Sequence, residues 1–370
     1  MPAKSSNILL FTGTYLPKPA PSSVIDGFVR AEVTQDASGA EGFQLSFGLR
    51  KNALGEYAIL SSGALSPFSR VILAVEIGTL PSVICDGLIT HQQISQADES
   101  GNATLTVTGR DLSCAMDLQQ EIRSYDNQPD SLIVAQLLAR YARYKIIPTI
   151  TPTPELPLSI WRRPLQTETD LRCIQRLAKR NGFVFHITPL LPGTARAYFG
   201  PQVRAGLPQR ALSIQAGGKG NLRSIHFSQD ALQPVQMRGH YLDSLTKLVL
   251  PLPAMPFVPI PPLTLFRTSA RRQAYLPRTA HMKLPAVVRT SRQEGDASRN
   301  AVRAEGELDP MQYGGILKVR SLVGVRGAGL SYDGMYFVER VTHVLERGSY
   351  TQSFSLNREG VLPLSPVVMP

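Results

Sequence analysis

A segment whose apolar residues have helical spacing lies between two long stretches whose apolar residues have the spacing of strands. This arrangement restricts the fold more than any other feature of the chain. The helical segment covers residues 109–182. On both sides of it, short apolar runs are separated by Gly, Ser and Pro, which is typical of antiparallel strands joined by turns. The sequence therefore predicts a β-rich α+β fold in which two antiparallel barrels or sandwiches flank a helical α/β layer.

Two helices are predicted in the first part of this segment, from GRDLSCAMDLQQEIRS and from PDSLIVAQLLARYARY. Asp130 or Ser131 is placed to cap the free amides of the second. Helical spacing puts five apolar side chains of that helix on one face, which we expect to be buried: Ile133, Val134, Leu137, Leu138 and Tyr141. A connector around Ile160 and Trp161 follows it.

A third helix is predicted from TETDLRCIQRLAKRNG. Thr167 and Asp170 have capping-box spacing, and Gly182 can take the left-handed conformation that ends a helix. The apolar face expected to be buried consists of Leu171, Ile174, Leu177 and Ala178, and the outward face consists of Arg172, Arg176, Lys179 and Arg180. A strand is expected at 183–187.

Strand patterns fill the rest of the chain after residues 1–22, which resemble an extended arm. Before the helical segment, strands are predicted at 24–33, 43–49, 71–77, 83–89 and 103–108. After it, they are predicted at 198–199, 212–214, 222–227, 235–242, 315–325, 335–345 and 350–357, with a short helix near 297–304. An internal duplication would also give two β units around a helical layer, but identity between the halves is too low to establish a repeat from sequence.

Composition fits a folded protein of two or three domains. The chain has 370 residues, of which 43% are hydrophobic and 18% charged. The formal net charge of +11 allows an acidic partner, but the basic residues are scattered and accompany no nucleic-acid-binding motif. A solvated or subunit-facing basic surface is therefore favoured over nucleic-acid binding.

Cysteines and apolar runs indicate the compartment. Cys85, Cys114 and Cys173 are far apart and odd in number, so we expect small core residues in a reducing compartment. The only apolar run near the N-terminus, at 8–11, is too short for a secretory signal. The uncharged stretch at 248–266 contains six prolines, which exclude a continuous membrane helix and predict either a rigid connector or an extension across a neighbouring subunit.

No established catalytic spacing is present. Gly218, Lys219 and Gly220 lack the remaining residues of a phosphate-binding loop. Three further glycines sit between two strand patterns and predict a hairpin, namely Gly324, Gly327 and Gly329. No catalytic, cofactor-binding or metal-binding residue is therefore predicted, and no cofactor is expected.

One acidic cluster and six histidines are the remaining candidates for chemistry. Glu305, Glu307 and Asp309 alternate in a polar stretch, where a solvated turn is favoured over a site for a cation or a sugar. The histidines are dispersed: His91, His186, His226, His240, His281 and His343. For His343 a structural hydrogen bond is favoured over catalysis.

Several segments together resemble the baseplate hub proteins of contractile phage tails and injection systems, including the phage late-control D proteins and the hub part of the spike protein VgrG. These segments are VTGRDLSCAMDLQQEIRSYDNQPDSLIVAQLLARY, TDLRCIQRLAKRNGFVFHI, AYFGP and GGILKVRSLVGVRGAGLSYDGMYFVERVTHVLERGSYTQSFSLNREG. The resemblance spans about residues 105–360. It has no catalytic residues to transfer.

The resemblance implies a non-enzymatic homotrimer that joins a hexameric inner tube to a trimeric spike. Residues 1–108 would form an arm and a first tube-like barrel, 109–200 the helical domain, and 201–370 a second tube-like barrel with the proline-rich insertion 248–266. Implied partners are a separate spike protein, the inner tube protein, other baseplate components and a possible cargo in the lumen, with assembly in the bacterial cytoplasm. The alternatives are a tail-tip cell-wall hydrolase that uses Glu305 and Glu307, and a basic nucleic-acid-binding module.

Overall fold

A computed structural model describes residues 7–39, 41–51, 55–77, 81–96, 103–155, 163–214, 220–243, 246, 248–252, 262–276, 279, 284–298 and 300–364. The helices are α1 (Ser22–Gly27), α2 (Ala58–Ser61), α3 (Asp130–Ala139), α4 (Asp170–Asn181), α5 (Leu284–Ser298) and α6 (Pro310–Tyr313), with 3-10 turns at Leu112–Asp117 and Ala142–Tyr144. The predicted connector at Ile160 and Trp161 lies outside the described residues.

The strands before α4 are β1 (Asn7–Gly13), β2 (Lys18–Pro19), β3 (Phe28–Asp36), β4 (Gly42–Leu49), β5 (Arg70–Glu76), β6 (Pro81–Gln96), β7 (Ala103–Asp111), β8 (Arg123–Ser124), β9 (Ile146–Ile150) and β10 (Leu165–Gln166). After it come β11 (Val184–Leu191), β12 (Thr194–Gly200), β13 (Gln209–Ser213), β14 (Leu222–Gln229), β15 (Val235–Arg238), β16 (His240–Leu242), β17 (Val249–Pro251), β18 (Thr264–Arg267), β19 (Arg272–Tyr275), β20 (Val302–Leu308), β21 (Leu322–Arg326), β22 (Gly334–Glu346), β23 (Ser349–Arg358) and β24 (Gly360–Pro363).

Thirteen strands form one large sheet, which confirms the predicted β-rich character. The order along its main path is β14-β20-β23-β22-β3-β4-β7-β6-β5-β1-β2, and every neighbouring pair on this path is antiparallel. Strands from both ends of the chain therefore meet in a single sheet. The division into two barrels and the domain boundaries at 108 and 200 stay predictions.

The N-terminal part of the chain differs from the prediction in two ways. Residues 7–13 are not an arm, because β1 pairs with β5 along its whole length. The predicted strand at 24–33 begins only at Phe28, because α1 occupies the preceding residues and buries Val24. Both errors come from contacts with distant residues, which a local pattern does not show.

The predicted first helix is wrong. Residues 112–117 form a 3-10 turn in which five consecutive side chains are buried, and Arg123–Ser124 then pair with β10. A segment that is buried on all sides has no amphipathic period. Its conformation is therefore set by tertiary packing rather than by helical propensity.

The second helix is confirmed as α3, with Ile133, Val134, Leu137 and Leu138 buried. Tyr141 lies beyond its end and is only half-buried. The predicted capping by Asp130 or Ser131 is wrong. Instead the hydroxyl of Thr153 accepts a hydrogen bond from the Ser131 amide at 3.0 Å.

The third helix is confirmed as α4, with its predicted apolar face buried and Gly182 in the left-handed region at a φ of 70°. Its cap is Thr169 rather than Thr167, because the Thr169 hydroxyl accepts from the Arg172 amide. Arg180 does not point outward as predicted. It lies 2.9 Å from Glu155, and its side chain is 14% exposed.

The described residues form three large hydrophobic cores. The first is built mainly from strands β1 to β7, but it also contains Leu345 and Tyr350 from the C-terminal part. The second joins α3 and α4 to β9, β11 and β12. The third contains β20 to β23 together with Leu212 and Leu317. The N-terminal core is therefore completed by the C-terminal strands.

The region between β14 and β20 holds small two-stranded sheets and α5. The predicted strand at 235–242 is two short strands, which pair with β19 and β17. The predicted helix at 297–304 is wrong, because α5 ends at Ser298 and β20 begins at Val302. Most of the proline-rich insertion, at 253–261, lies outside the described residues.

The remaining expectations concern cysteines and membrane spans. Cys85, Cys114 and Cys173 are buried and free, as predicted for core residues. Among the residues described, no helix has the length and apolar character needed to span a membrane.

Candidate assembly interface

Two sets of five strands have the same order in the large sheet. Module one contains β3, β4, β5, β6 and β7, which lie in the sheet as β5-β6-β7-β4-β3. Module two contains β14, β20, β21, β22 and β23, which lie as β21-β22-β23-β20-β14. If the strands of each module are numbered one to five along the chain, their order across the sheet is third, fourth, fifth, second and first. All neighbouring strands are antiparallel.

The two modules also share their irregularities. The first strand of each carries a bulge next to its start, at Val29 in β3 and at Arg223 in β14. The fourth strand of each carries a bulge near its middle, at Thr90 in β6 and at Glu339 in β22. Bulges are specific backbone features rather than random defects, so their coincidence indicates one repeated structure.

Alignment on the bulges brings other backbone details into register. Phe68 and Arg320 occupy the same position, and both have a positive φ, of 63° and 60°. The Phe68 amide donates to the carbonyl of Ile89, and the Arg320 amide donates to the carbonyl of Val338. In both modules the acceptor is the residue directly before the bulge of the fourth strand. A positive φ is unusual for a residue that is not glycine, so its occurrence at both positions is a strong sign of duplication.

Within the chain the modules are joined by β22 and β3. Arg340 Nε donates to Asp36 Oδ2 at 2.9 Å, and the hydroxyls of Thr34 and Thr342 lie 3.2 Å apart. The two strands pair from Arg340 opposite Asp36 to Glu346 opposite Arg30. The fourth strand of module two therefore binds the first strand of module one.

A buried polar cluster lies beside this junction, at a cleft of about 610 Å³. Arg320 of module two donates to Glu41 of module one at 2.7 Å. Burial raises the pKa of Glu41 to about 7, even though Arg320 opposes the shift. Burial also raises the pKa of Asp111 to about 6. The charge state of this contact between the modules therefore changes near neutral pH.

His343 makes the structural hydrogen bond that was predicted for it. Its ring lies 2.7 Å from the hydroxyl of Tyr350 and is fully buried. Burial lowers the pKa of His343 to about 3, so the ring is neutral at physiological pH. The hairpin predicted at Gly324, Gly327 and Gly329 is also confirmed, since β21 pairs with β22.

The acidic cluster lies mainly in a strand rather than in a loop, because Glu305 and Glu307 belong to β20. Arg223 lies 3.0 Å from Glu307 and 3.6 Å from Asp309, and Arg303 lies 4.0 Å from Glu305. Asp309 caps α6. These contacts give each of the three carboxylates an arginine within 4.0 Å.

The other histidines are spread over the structure. His186 stacks on Tyr198, His240 stacks on Tyr275, and His91 and His226 are exposed on β6 and β14. His281, Gly218 and Lys219 lie outside the described residues. Within the part of the chain that is described, no group of three or more His, Cys, Asp or Glu side chains is placed to hold a metal ion.

Two strand edges have no strand partner among the described residues. Strand β5 pairs with β6 only as far as Leu88, and Ile89 makes the last backbone hydrogen bonds on that side, to Phe68 and Ser69. Residues 90–96 of β6 extend beyond this pairing. Strand β14 pairs with β20 on one side only and ends the main path of the sheet. These edges expose backbone groups that can pair with another strand.

No family model matches the sequence, and no curated protein matches it. Solved structures do match, and they place the fold among phage tail proteins and related components of type VI secretion systems. The first is a tail protein from Neisseria meningitidis MC58, with a TM-score of 0.64 at 14% identity, where the match covers 97% of this chain and 98% of the other.

Two further structures agree. A 43 kDa tail protein of prophage MuSo2 from Shewanella oneidensis has a TM-score of 0.65 at 16% identity, over 96% of this chain and 99% of the other. The E. coli c3393 protein, a component of the type VI secretion system that is structurally similar to the T4 bacteriophage tail proteins gp27 and gp5, has a TM-score of 0.56 at 12% identity, over 93% and 78%. These likenesses concern the fold.

Proposed function

We propose that this chain is the structural hub of a contractile injection particle, in which three copies join a hexameric inner tube to a trimeric spike. The observation that carries the proposal is the repeated strand order of modules one and two. A trimer of such chains presents six similar modules on one ring, while the rest of each chain repeats only three times. Each module would be one tube-like barrel of the ring.

The differences between the modules support the second half of this proposal. In module one, β3 and β4 are separated by a short turn, whereas in module two the equivalent strands β14 and β20 are separated by residues 230–301. The helical layer with α3 and α4 also occurs once per chain. Sixfold contacts would be made by the modules, and threefold contacts by these single-copy parts.

The fold comparison supports the same assignment. Tail proteins from Neisseria and from a Shewanella prophage share this fold over nearly their whole length, and a type VI component shares it over 78% of its length. The implied partners are a spike protein, the inner tube protein and other baseplate components, with room for cargo in the lumen. The hydrolase alternative receives no support, because the carboxylates it requires are bound to arginines.

Light scattering of the purified chain tests the proposal. We expect a species with three times the chain mass of 40.5 kDa. Electron microscopy of the assembled particle should show threefold density below a sixfold tube. A chain that stays monomeric at every concentration, with and without the rest of the particle, would refute the hub.

A further inference from the structure

From the duplication we infer that residues 91–96 of β6 pair antiparallel with residues 225–230 of a second copy of this chain, in the register of the β22–β3 junction. Residues 225–229 belong to β14, and residue 230 follows it directly. This inference deepens the proposed hub function and rests on it for the number of copies. Among the strands that the structure describes, the fourth strand of module one and the first strand of module two each have an edge without a partner strand. These are the two kinds of edge that the chain already joins internally through β22 and β3.

The register follows from the bulges. Thr90 is equivalent to Glu339, so His91 to Gln96 correspond to Arg340 to Leu345. Val29 is equivalent to Arg223, so the residues from Ser224 to Asp230 correspond to those from Arg30 to Asp36. Transfer of the internal pairing then places His91 opposite Asp230, Gln93 opposite Ser228, and Ser95 opposite His226 of the second copy.

The side chains at these positions are complementary. His91 opposite Asp230 replaces the Arg340–Asp36 ion pair, and Gln93 opposite Ser228 replaces the hydrogen bond between Thr342 and Thr34. Between the Gln93–Ser228 and Ser95–His226 pairs the transfer places Ile94, whose surface is 45% exposed, opposite the half-buried Phe227. An apolar pair flanked by polar pairs is an arrangement that stabilises neighbouring strands.

Backbone geometry defines which groups face the second copy. The Ala37 amide donates to the Glu339 carbonyl at 2.8 Å, so Arg340–Asp36 and Thr342–Thr34 are non-hydrogen-bonded pairs. In the transferred ladder, Gln93–Ser228 and Ser95–His226 are of this type, with their Cα atoms about 4.5 Å apart. That separation lies within the range of about 4.4–6.8 Å that a disulfide requires.

The pairing is tested with double-cysteine variants of the full chain under mild oxidation. We expect Gln93→Cys with Ser228→Cys, and Ser95→Cys with His226→Cys, to shift to covalent dimers and larger species on non-reducing gels. The control is Gln93→Cys with Ser224→Cys, whose sites are equally exposed but displaced by four residues, or about 13 Å along the strand. The control and the wild-type chain, whose three cysteines are buried, should stay uncrosslinked.

A second variant tests the backbone contribution. The alternation of the ladder points the Ile94 amide at the free edge and away from β7, so Ile94→Pro removes a donor that only the second copy uses. We expect Ile94→Pro to be monomeric with the circular dichroism of the wild type, and Ile94→Ala to retain association. Association that survives Ile94→Pro would contradict the pairing.

The outcomes separate this inference from the hub proposal. An oligomer in which neither matched pair crosslinks, or in which the control crosslinks equally, overturns the inference and leaves the hub. Register-specific crosslinks in an assembly of other than three copies support the inference and overturn the hub. A chain that is monomeric and uncrosslinked at every concentration overturns both.

Discussion

The buried ion pair of Arg70 and Asp86 provides the sharpest test of the energetics. Arg70 Nε and Nη2 each donate to a carboxylate oxygen of Asp86 at 2.7 Å. The two side chains are 0% and 1% exposed. Arg70 Nη1 also donates to the carbonyl of Tyr15 at 2.9 Å, which ties the N-terminal region to the sheet. Removal of the arginine alone leaves a buried carboxylate without its cation.

Arg70→Leu should therefore cost about 3–5 kcal/mol of unfolding free energy at pH 7, the usual loss when one partner of a buried pair is removed. Burial already raises the pKa of Asp86 in the presence of Arg70, and loss of the arginine raises it further. Because the pKa of Asp86 is higher in the folded state than in the unfolded state, the loss of unfolding free energy is complete at pH values above the folded-state pKa. The loss shrinks as the pH falls and the carboxyl is protonated.

Module two supplies the compensating change. The positions equivalent to Arg70 and Asp86 are Leu322 and Met335, which lie diagonally across β21 and β22 as Arg70 and Asp86 do across β5 and β6. The double variant Arg70→Leu with Asp86→Met copies that apolar pair. It should recover all but about 1 kcal/mol, the cost of the lost hydrogen bond to Tyr15.

Urea unfolding followed by circular dichroism measures these differences, at one protein concentration because association adds to stability. The two single variants and the double variant form a thermodynamic cycle. A cost below about 1 kcal/mol for Arg70→Leu would refute the assigned role of the pair. A double variant as unstable as the sum of the single changes would refute the equivalence of the modules at this site.

Three further predictions concern pH, a glycine and a cap. Because the Glu41 pKa is raised from 4.5 to about 7, its contribution to stability is complete below pH 4.5 and is lost as the pH rises through 7. Urea unfolding from pH 5 to 8 should show a loss of stability that is larger in the wild type than in Glu41→Gln, by up to ~3 kcal/mol. The loss that remains in Glu41→Gln comes from Asp111, whose pKa burial raises to about 6. Gly182→Ala should cost about 1–3 kcal/mol in thermal unfolding, since a β-carbon there would lie 2.9 Å from the backbone of α5. Gly193→Ala, also at positive φ but with open space, should cost less. Thr169→Ala should cost about 1 kcal/mol, and Thr167→Ala should be neutral by the same measurement.

The sequence was sufficient where one period decides the structure. The buried faces of α3 and α4 were predicted correctly except for Tyr141, because apolar residues that face a core recur at helical spacing. It failed where a distant residue decides. Arg180 was assigned to solvent by its charge, but its carboxylate partner Glu155 lies 25 positions away. Thr167 was predicted as the cap, but the backbone becomes helical only after Thr169, which is therefore the residue that caps the helix.

The candidate interface could not be found from sequence for a different reason. The modules share backbone geometry and hardly any side chains, since Phe68 and Arg320 hold the same positive φ with unrelated chemistry. Even the cores differ. Leu105 and Gln352 are equivalent and both fully buried, but the Gln352 amide bonds to the backbone of Leu317 where Leu105 makes only apolar contacts.

A repeat of this kind is preserved through its hydrogen-bond ladder, because a shift of one residue would turn every side chain to the opposite face of the sheet. Selection on such a ladder acts on register and leaves residue identity free to change. Bulges fix the register, and they are the features that coincide between the modules. The same constraint would act on the contact between copies, so insertions or deletions at positions 91–96 and 225–230 should abolish assembly, while single side-chain changes other than proline should only weaken it.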